Sequence, residues 1–300
     1  MELRDLEYFA VVAEYRHLGR AAEALDLSTP ALSKSLRRLE RLVQSKLVKR
    51  TPKGVELTAK GEALVARVRV IRLAVDDAVR EVTDLSQGRA GALRIGLHPA
   101  MYGEAFSLAC TEFLKVAPNV HLTVTLVTSD TEGPALRNGE LDLIVSDVPD
   151  PPYADIIHEH LFDDTLVVFA SAAHPLAKCK TVTIAEVARE RWVLTAVAVQ
   201  VWRRLQRVFE SKGLPYPQVV MRTSHLPLRD DMVASSNMLG FSSRRVLRQV
   251  AKRHAVVELP VKELTSMRPV SVSYRKSAYL SPAARRFIEM LQAAAKEIAR

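Results

Sequence analysis

The sequence predicts an α/β protein headed by a small helix-rich domain, and three observations predict it. Residues 17–60 read as two short helices followed by a cation-rich hairpin. Residues 64–85 carry an unbroken apolar repeat of helical period, with no proline. From residue 92 onward, short apolar runs alternate with helical segments, the order that makes a parallel sheet covered on both faces. The 300 residues suffice for two or three domains with buried cores, and 26% charged with 48% hydrophobic residues is an ordinary globular balance.

At the N-terminus, Leu3, Leu6, Phe9, Ala10 and Ala13 recur at helical spacing and form one apolar stripe. Gly19 is placed to cap a second helix, in which Ala21, Ala22 and Leu25 supply small, close-packing contacts. Asp26-Leu27 then makes a tight turn. Ser28 is a good N-cap for a third helix, because its hydroxyl can accept a free backbone N–H of the first turn. Pro30 lies early enough to lose no internal hydrogen bond. Leu32, Leu36, Leu39 and Val43 follow on one face, with Thr29, Ser33 and Arg37 opposite and Pro30, Lys34 and Arg38 beside them. Short polar groups near a helix N-terminus, with guanidinium forks further along, suit insertion into the major groove of DNA. Leu47-Val48 and Val55-Glu56-Leu57 pair as strands across residues 49–54, a wing that sets Arg50 and Lys53 beside flanking phosphates.

Charge agrees with that reading. The chain carries a net charge of +9, and residues 28–60 alone hold nine cations against Glu40 and Glu56. A charge run is usually a solvated helix face. Here the cations fall on a helix-turn-helix followed by a wing, and double-stranded DNA is the expected partner.

Leu64, Val68, Ile71, Val75, Ala78, Val82 and Leu85 are spaced alternately four and three residues apart. A 3.5-residue period favours pairing with a second helix, which predicts a long linker helix that dimerises. About thirty residues at about 1.5 Å each make a rod of roughly 45 Å, enough to hold two DNA-binding heads apart. Val65, Val70, Leu73 and Val79 are also apolar, so a helix lying on its own domain is the competing arrangement.

Beyond Gly88 and Gly91, strands are expected at ALRIGL, HLTVTLV, LDLIVSD, TLVVFA, RWVLTA, QVVMRT and RPVSVSYR. Helices are expected near Ala105–Val116, Gly133–Asn138, Asp230–Met238 and Pro282–Ile298.

At these residues the chain resembles the LysR-type transcriptional regulators. The carrying motifs are LEYFAVVAE, GRAAEALDLSTPALSKSLRRLE and LVKRTPKGVELTAKGE, followed more loosely by GALRIGL, NGELDLIV and FDDTLVVFASAAHPLA. Thr29 stands where the family often has Gln, Gln44 where a turn Gly is common, and Val48 where Phe is usual. The resemblance implies a winged helix-turn-helix over 1–58, a linker and dimerisation helix over 59–90, and an effector-binding domain over 91–300. That last domain would be similar to periplasmic solute-binding proteins, with two α/β subdomains (92–161 plus 267–300, and 162–266) around a ligand cleft. Ligands of such sheets bind beyond the carboxyl ends of parallel strands. The expected effector residues are therefore Ala100, Met101, Tyr102, Thr128, Ser129, Thr195 and His225, with Ser146 and Val197 at neighbouring strand ends. Helix N-termini there would suit a small carboxylate, although the first loop reads HPAMY where the family often supplies a hydroxyl.

Other chemistry finds little purchase. There is no P-loop, no GxSxG elbow and no glycine-rich dinucleotide fingerprint, so neither an enzyme nor a cofactor is expected. His158 and His160 share a strand face without a third metal ligand at a persuasive spacing. Cys110 and Cys179 are far apart, and the N-terminus lacks a signal-peptide pattern, which points to the cytoplasm and the nucleoid rather than to a membrane. The function read from the sequence is a sequence-specific, effector-controlled transcriptional regulator. It would act as a homodimer or homotetramer, with RNA polymerase as a further candidate partner. The alternative is a cytoplasmic solute-binding module without gene control.

Overall fold

The computed structural model describes residues 2–52, 54–87, 91–195 and 199–299. Lys53, Val197 and the side chain of Leu85 fall outside the description. The chain divides into two compact units, Met1–Thr83 and Asp84–Arg300.

The first unit begins with α1 (Leu3–Tyr15), α2 (Leu18–Ala24) and α3 (Thr29–Leu42), then a hairpin of β1 (Val48–Thr51) and β2 (Gly54–Leu57). The long α4 (Ala59–Gln87) follows. Leu6, Phe9, Leu36, Leu39 and Leu47 form one core with Val65 and Val68 of α4. Val12, Ala21, Ala22, Leu32 and Val55 form a second. Each fully buried Leu or Phe of this kind contributes roughly 1.5–3 kcal/mol.

Two local expectations change. His17, not Gly19, caps α2: its Nδ1 accepts the amides of Gly19 and Arg20 at 3.2 and 3.3 Å. The wing strands are also longer than expected, because Lys49, Arg50 and Thr51 pair with Glu56, Val55 and Gly54. Gly54 is required there. At φ +133°, a Cβ would lie 2.3 Å from the Arg16 carbonyl oxygen, the atom that accepts the Val55 amide.

The predicted heptad seam splits. Val68 is buried in the core of the DNA-binding head and Leu64 packs against that core. Ile71, Val75, Ala78 and Val82 lie exposed along α4. A periodic stripe does not say which of its turns face the chain's own domain.

The second unit runs β3 (Gly91–Leu97), α5 (Glu104–Val116), β4 (Val120–Leu126), α6 (Glu132–Arg137), β5 (Leu143–Asp147) and β6 (Ile156–Ser171). It continues with α7 (Ile184–Val187), β7 (Arg191–Thr195), α8 (Val199–Ser211), β8 (Gln218–Thr223) and α9 (Leu226–Ala234). It closes with β9 (Met238–Ser243), α10 (Arg244–Val250), β10 (Val256–Leu259), β11 (Ser266–Arg275) and α11 (Pro282–Ala299). The sheet order is β4-β3-β5-β11-β6-β9-β7-β8, with β10 also on β6. At one end β3 pairs β4 and β5 in parallel; at the other, β7 pairs β8 and β9 in parallel. Antiparallel β6 and β11 join the two halves.

Each half has its own core. One is built on Phe106, Phe113 and Phe287, whose rings meet edge to face, with strands β3 and β5. The other centres on fully buried Trp192, whose indole donates to the Val187 carbonyl at 2.9 Å. The helix expected at Asp230–Met238 instead ends at Ala234, and Met238 opens β9. Strand β6 has 16 residues rather than the expected TLVVFA core, because it extends back through charged Glu159, Asp163 and Asp164 to cross between the halves.

Candidate nucleic-acid interface and ligand cleft

Helix α3 is fixed at both ends. The Ser28 hydroxyl accepts the Ala31 amide at 3.3 Å. Near its C-terminus, Glu40 accepts from Lys46 Nζ at 2.7 Å and from the Leu47 amide at 3.0 Å, tying the helix to the wing. Burial pushes the Glu40 carboxyl up, but these donors outweigh it and the net shift is downward. Gln44, just past the helix, takes a left-handed conformation with φ 48°.

The outer face of α3 offers Thr29, Pro30, Lys34, Arg37 and Arg41 to solvent. Pro30, Lys34, Arg37, Arg41, Gln44 and Lys46 line a shallow concavity of about 770 Å³ along it. Two further expected contact residues differ from these. Ser33 is 7% exposed and turned into the domain. Arg38 is half exposed but ion-paired: its Nε lies 3.0 Å from Asp5 Oδ2, and its Nη2 reaches Asp5 Oδ1 and Glu2. Ser35 donates to the same Asp5 at 2.6 Å. Burial raises the Asp5 carboxyl, but Arg38 and Ser35 overcome it and hold it below the ordinary range. Asp5, Ser35 and Arg38 therefore clamp α1 to α3. Arg41 was not among the expected readers, although it lies four residues beyond Arg37 and seven beyond Lys34, on the same stripe. On the wing, Arg50 and Lys49 are exposed.

In the second unit, a small cavity of about 30 Å³ lies between the two halves, lined by Ala100 and Thr195 together with His98, Arg229, Ser242 and Arg268. A larger one of about 580 Å³ adjoins Ala100, Met101, Tyr102, Phe162, Arg245 and Val246. The expected residues thus separate. Ala100 and Thr195 meet at the small cavity. Met101 and Tyr102 face the larger one, where Tyr102 is 70% exposed. Thr128, Ser129 and His225 line neither: Thr128 bonds Asp130 and Thr131, and His225 Nδ1 caps α9 by accepting the Leu228 amide at 3.2 Å.

Sequence reading missed the buried charges of the cleft. Arg268 on β11 reaches Asp147 of β5 and Asp164 of β6, at 3.2 Å each. The Ser243 hydroxyl donates to Asp164 at 2.8 Å. Arg229 Nε donates to Asp230 at 2.9 Å, and its other nitrogens reach the Phe241 carbonyl and Ser242 hydroxyl at 3.2 and 3.3 Å. Burial pushes His98 down to about 4, with Asp147 opposing and Arg268 reinforcing the shift. Glu132 is pushed up to about 7 by burial, with the nearby Ser146 hydroxyl working against it and the charges of Asp147 and Asp130 adding to it. Arg268, opening the buried strand segment RPVSVSYR, was the available sequence signal.

The remaining candidates carry ordinary roles. His158 Nδ1 bonds the Ser273 hydroxyl at 2.8 Å, and His160 Nε2 bonds Asp163 at 3.0 Å. No group of three metal-ligating side chains occurs among the described residues. Cys110 and Cys179 are both free thiols, and burial raises the Cys110 thiol to about 11. Among the described residues, no helix is long and apolar enough to cross a membrane.

A head of this shape joined to a two-halved α/β unit is matched by known families. The family model described as the LysR substrate binding domain covers residues 86–296. The model for bacterial regulatory helix-turn-helix proteins of the lysR family covers residues 3–62. The chain belongs to the LysR family. This LysR-type regulator is 30% identical to the SDS degradation transcriptional activation protein of a Pseudomonas strain, over 94% of its own length and 93% of that relative's. Its fold matches full-length OxyR from Pseudomonas aeruginosa with a TM-score of 0.64 at 24% identity, covering 99% of this chain and 95% of that one. It also matches full-length CbnR complexed with its target DNA, with a TM-score of 0.52 at 21% identity, over 98% and 100% of the respective chains. The protein is accordingly a LysR-type DNA-binding transcriptional regulator with an effector-binding domain, in a family of regulators rather than enzymes.

Proposed function

We propose that this regulator reads DNA with the stripe Thr29, Pro30, Lys34, Arg37 and Arg41, while Arg50 and Lys53 of the wing neutralise flanking phosphates. The observation that carries this assignment is the division of labour on α3. All four cations are exposed, but Arg38 is held in an ion pair with buried Asp5, whereas Lys34, Arg37 and Arg41 follow one line of the same helix with no carboxylate bound to them in this way. The exposed residues Ile71, Val75, Ala78 and Val82 on α4 pair with the same stripe of a second copy, giving a dimer or a dimer of dimers. DNA-binding is confined to residues 1–58, dimerisation to 59–90 and effector binding to 91–300. The effector enters the cleft between the halves of the second unit and shifts the balance between two arrangements of the paired heads. RNA polymerase is the partner through which the bound regulator acts, and the cytoplasm is its place of work.

Footprinting on the DNA upstream of the protein's own coding region tests the proposal. The expected result is protection of two half-sites related by twofold symmetry, on one face of the duplex. Absence of any sequence-specific footprint, with or without added metabolites, overturns it.

A further inference from the structure

Every guanidinium facing the small cavity between the subdomains already has a carboxylate of its own. Arg268 lies between Asp147 and Asp164, and Arg229 is held by Asp230, the Phe241 carbonyl and the Ser242 hydroxyl. Among the described residues, these two guanidinium groups stand against three carboxylates. Asp164, Arg229, Asp230 and Arg268 are all buried. Glu132, buried beside Ser146, adds a further acid close to Asp147. A carboxylate ligand would arrive where negative charge is already in excess, and it would find no free guanidinium fork.

What stands unpartnered is a pair of N–H donors. His98 Nδ1 accepts the Ala100 amide at 3.3 Å, which places the proton of the neutral ring on Nε2. That Nε2 has no hydrogen-bond partner, and neither has Arg268 Nε. His98 is 3% and Arg268 6% exposed, and both line the cavity. Leaving two such donors buried and unsatisfied is costly, so the site calls for an acceptor. Two donors repel an ammonium group, as the surrounding carboxylates repel an anion. The chemistry that satisfies both constraints is an uncharged oxygen with free lone pairs, and a cavity of about 30 Å³ admits one group of that size.

We propose that the cleft takes an uncharged ligand whose carbonyl or hydroxyl oxygen seats against His98 Nε2 and Arg268 Nε, and that it rejects the corresponding carboxylate. This rests on the reading of the cleft as the effector site, and it replaces the carboxylate that helix N-termini alone had suggested. Cations not tied to a carboxylate among the described residues, Arg245, Arg248 and Lys296, line the larger neighbouring cavity instead.

Calorimetric titration of the full chain at neutral pH with matched probes tests the proposal: benzamide against benzoate, and butyramide against butyrate. Each amide is expected to bind about tenfold more tightly than its carboxylate, because only the carboxylate meets the excess acid. His98→Phe removes the Nε2 donor and should weaken amide binding by about tenfold. His98 also caps the turn after β3, so Asp147→Asn serves as the second variant. By releasing one side of Arg268 it should reduce the amide preference by at least about threefold. The proposal is overturned by a carboxylate that binds the native chain as tightly as its amide, by failure of both amides to bind, or by an amide preference unchanged in Asp147→Asn. Ala100→Trp separates this from the broader reading. If it abolishes tight carboxylate binding, the cleft stands as the effector site and only the neutral ligand class falls. If probe binding is indifferent to Ala100→Trp, the cleft itself is not the site.

Discussion

Lys34 and Arg38 are four residues apart on one helix, yet the structure gives them different work. Lys34 is exposed on the outer stripe, while Arg38 bonds the buried Asp5 carboxylate. Lys34→Ala or Arg37→Ala should weaken specific DNA binding by about tenfold or more, with little change in melting temperature. Asp5→Asn should do the reverse in order: it lowers the melting temperature first and affects DNA binding only through the loosened α1–α3 clamp. Thermal unfolding and band-shift titration of the same variants check both, and equal melting losses for Lys34→Ala and Asp5→Asn would refute the division. Two buried titratable residues of the second unit make a pH prediction. Glu132 is raised from 4.5 to about 7, so its contribution to stability is present below pH 4.5 and is lost as pH rises through 7, at most roughly 3 kcal/mol. His98 is lowered from 6.5 to about 4, so its contribution is present above pH 6.5 and is lost as pH falls through 4. Between 4.5 and 6.5 the two slopes oppose each other. Glu132→Gln leaves the His98 contribution alone, so urea unfolding should show stability rising more steeply across that window than in the native chain, without the decline toward pH 7. Parallel profiles for the two proteins would refute the assignment.

Among the elements, the N-terminal head was the most legible, because caps, apolar spacing and turn residues act over a few positions. Ser28, Pro30 and the stripe from Leu32 to Leu39 specify α3 locally. What the spacing did not reveal was the burial of Ser33, and the pairing of Arg38 with Asp5 from a distant part of the sequence. In the second unit, apolar runs marked the buried strands. The crossing strand β6 was only half visible, since its first half carries His158, Glu159, His160, Asp163 and Asp164 in short polar blocks and is held by pairing to β11. The junction of wing and linker supplies a test at this scale. A Cβ on Gly61 would lie 2.1 Å from the Leu47 carbonyl oxygen, a backbone atom that accepts the Thr58 amide. Gly61→Ala should therefore cost about 1–3 kcal/mol despite its better helix propensity, because the wing and α4 must move apart. Chemical denaturation measures this directly. A stability equal to or above that of the native chain would show that the contact yields freely.

For the whole molecule, charge and pairing make a joint prediction. The net charge of +9 promises only attraction to a polyanion, whereas the arrangement of cations fixes how many phosphates one head can neutralise. Lys34, Arg37, Arg41 and Arg50 are exposed on α3 and the wing; with Lys53, the five cations proposed to face DNA should release about five counterions per head, and about ten per dimer. The logarithm of the binding constant should then fall with the logarithm of salt concentration at a slope of about −9 for the paired form and about half that for one head. Val75 lies exposed in the middle of the apolar stripe of α4, away from the buried contacts of Val65 and Val68 with the head. Val75→Asp should separate the copies without unfolding either, because it places a charge in the seam and touches no core. Sedimentation should show the loss of the dimer, and DNA titrations at several salt concentrations should show the slope fall toward the single-head value. A variant that sediments as a monomer yet keeps the full slope would mean that one copy contacts all those phosphates. The twofold reading of the DNA site would then have to be abandoned, even with the winged head intact.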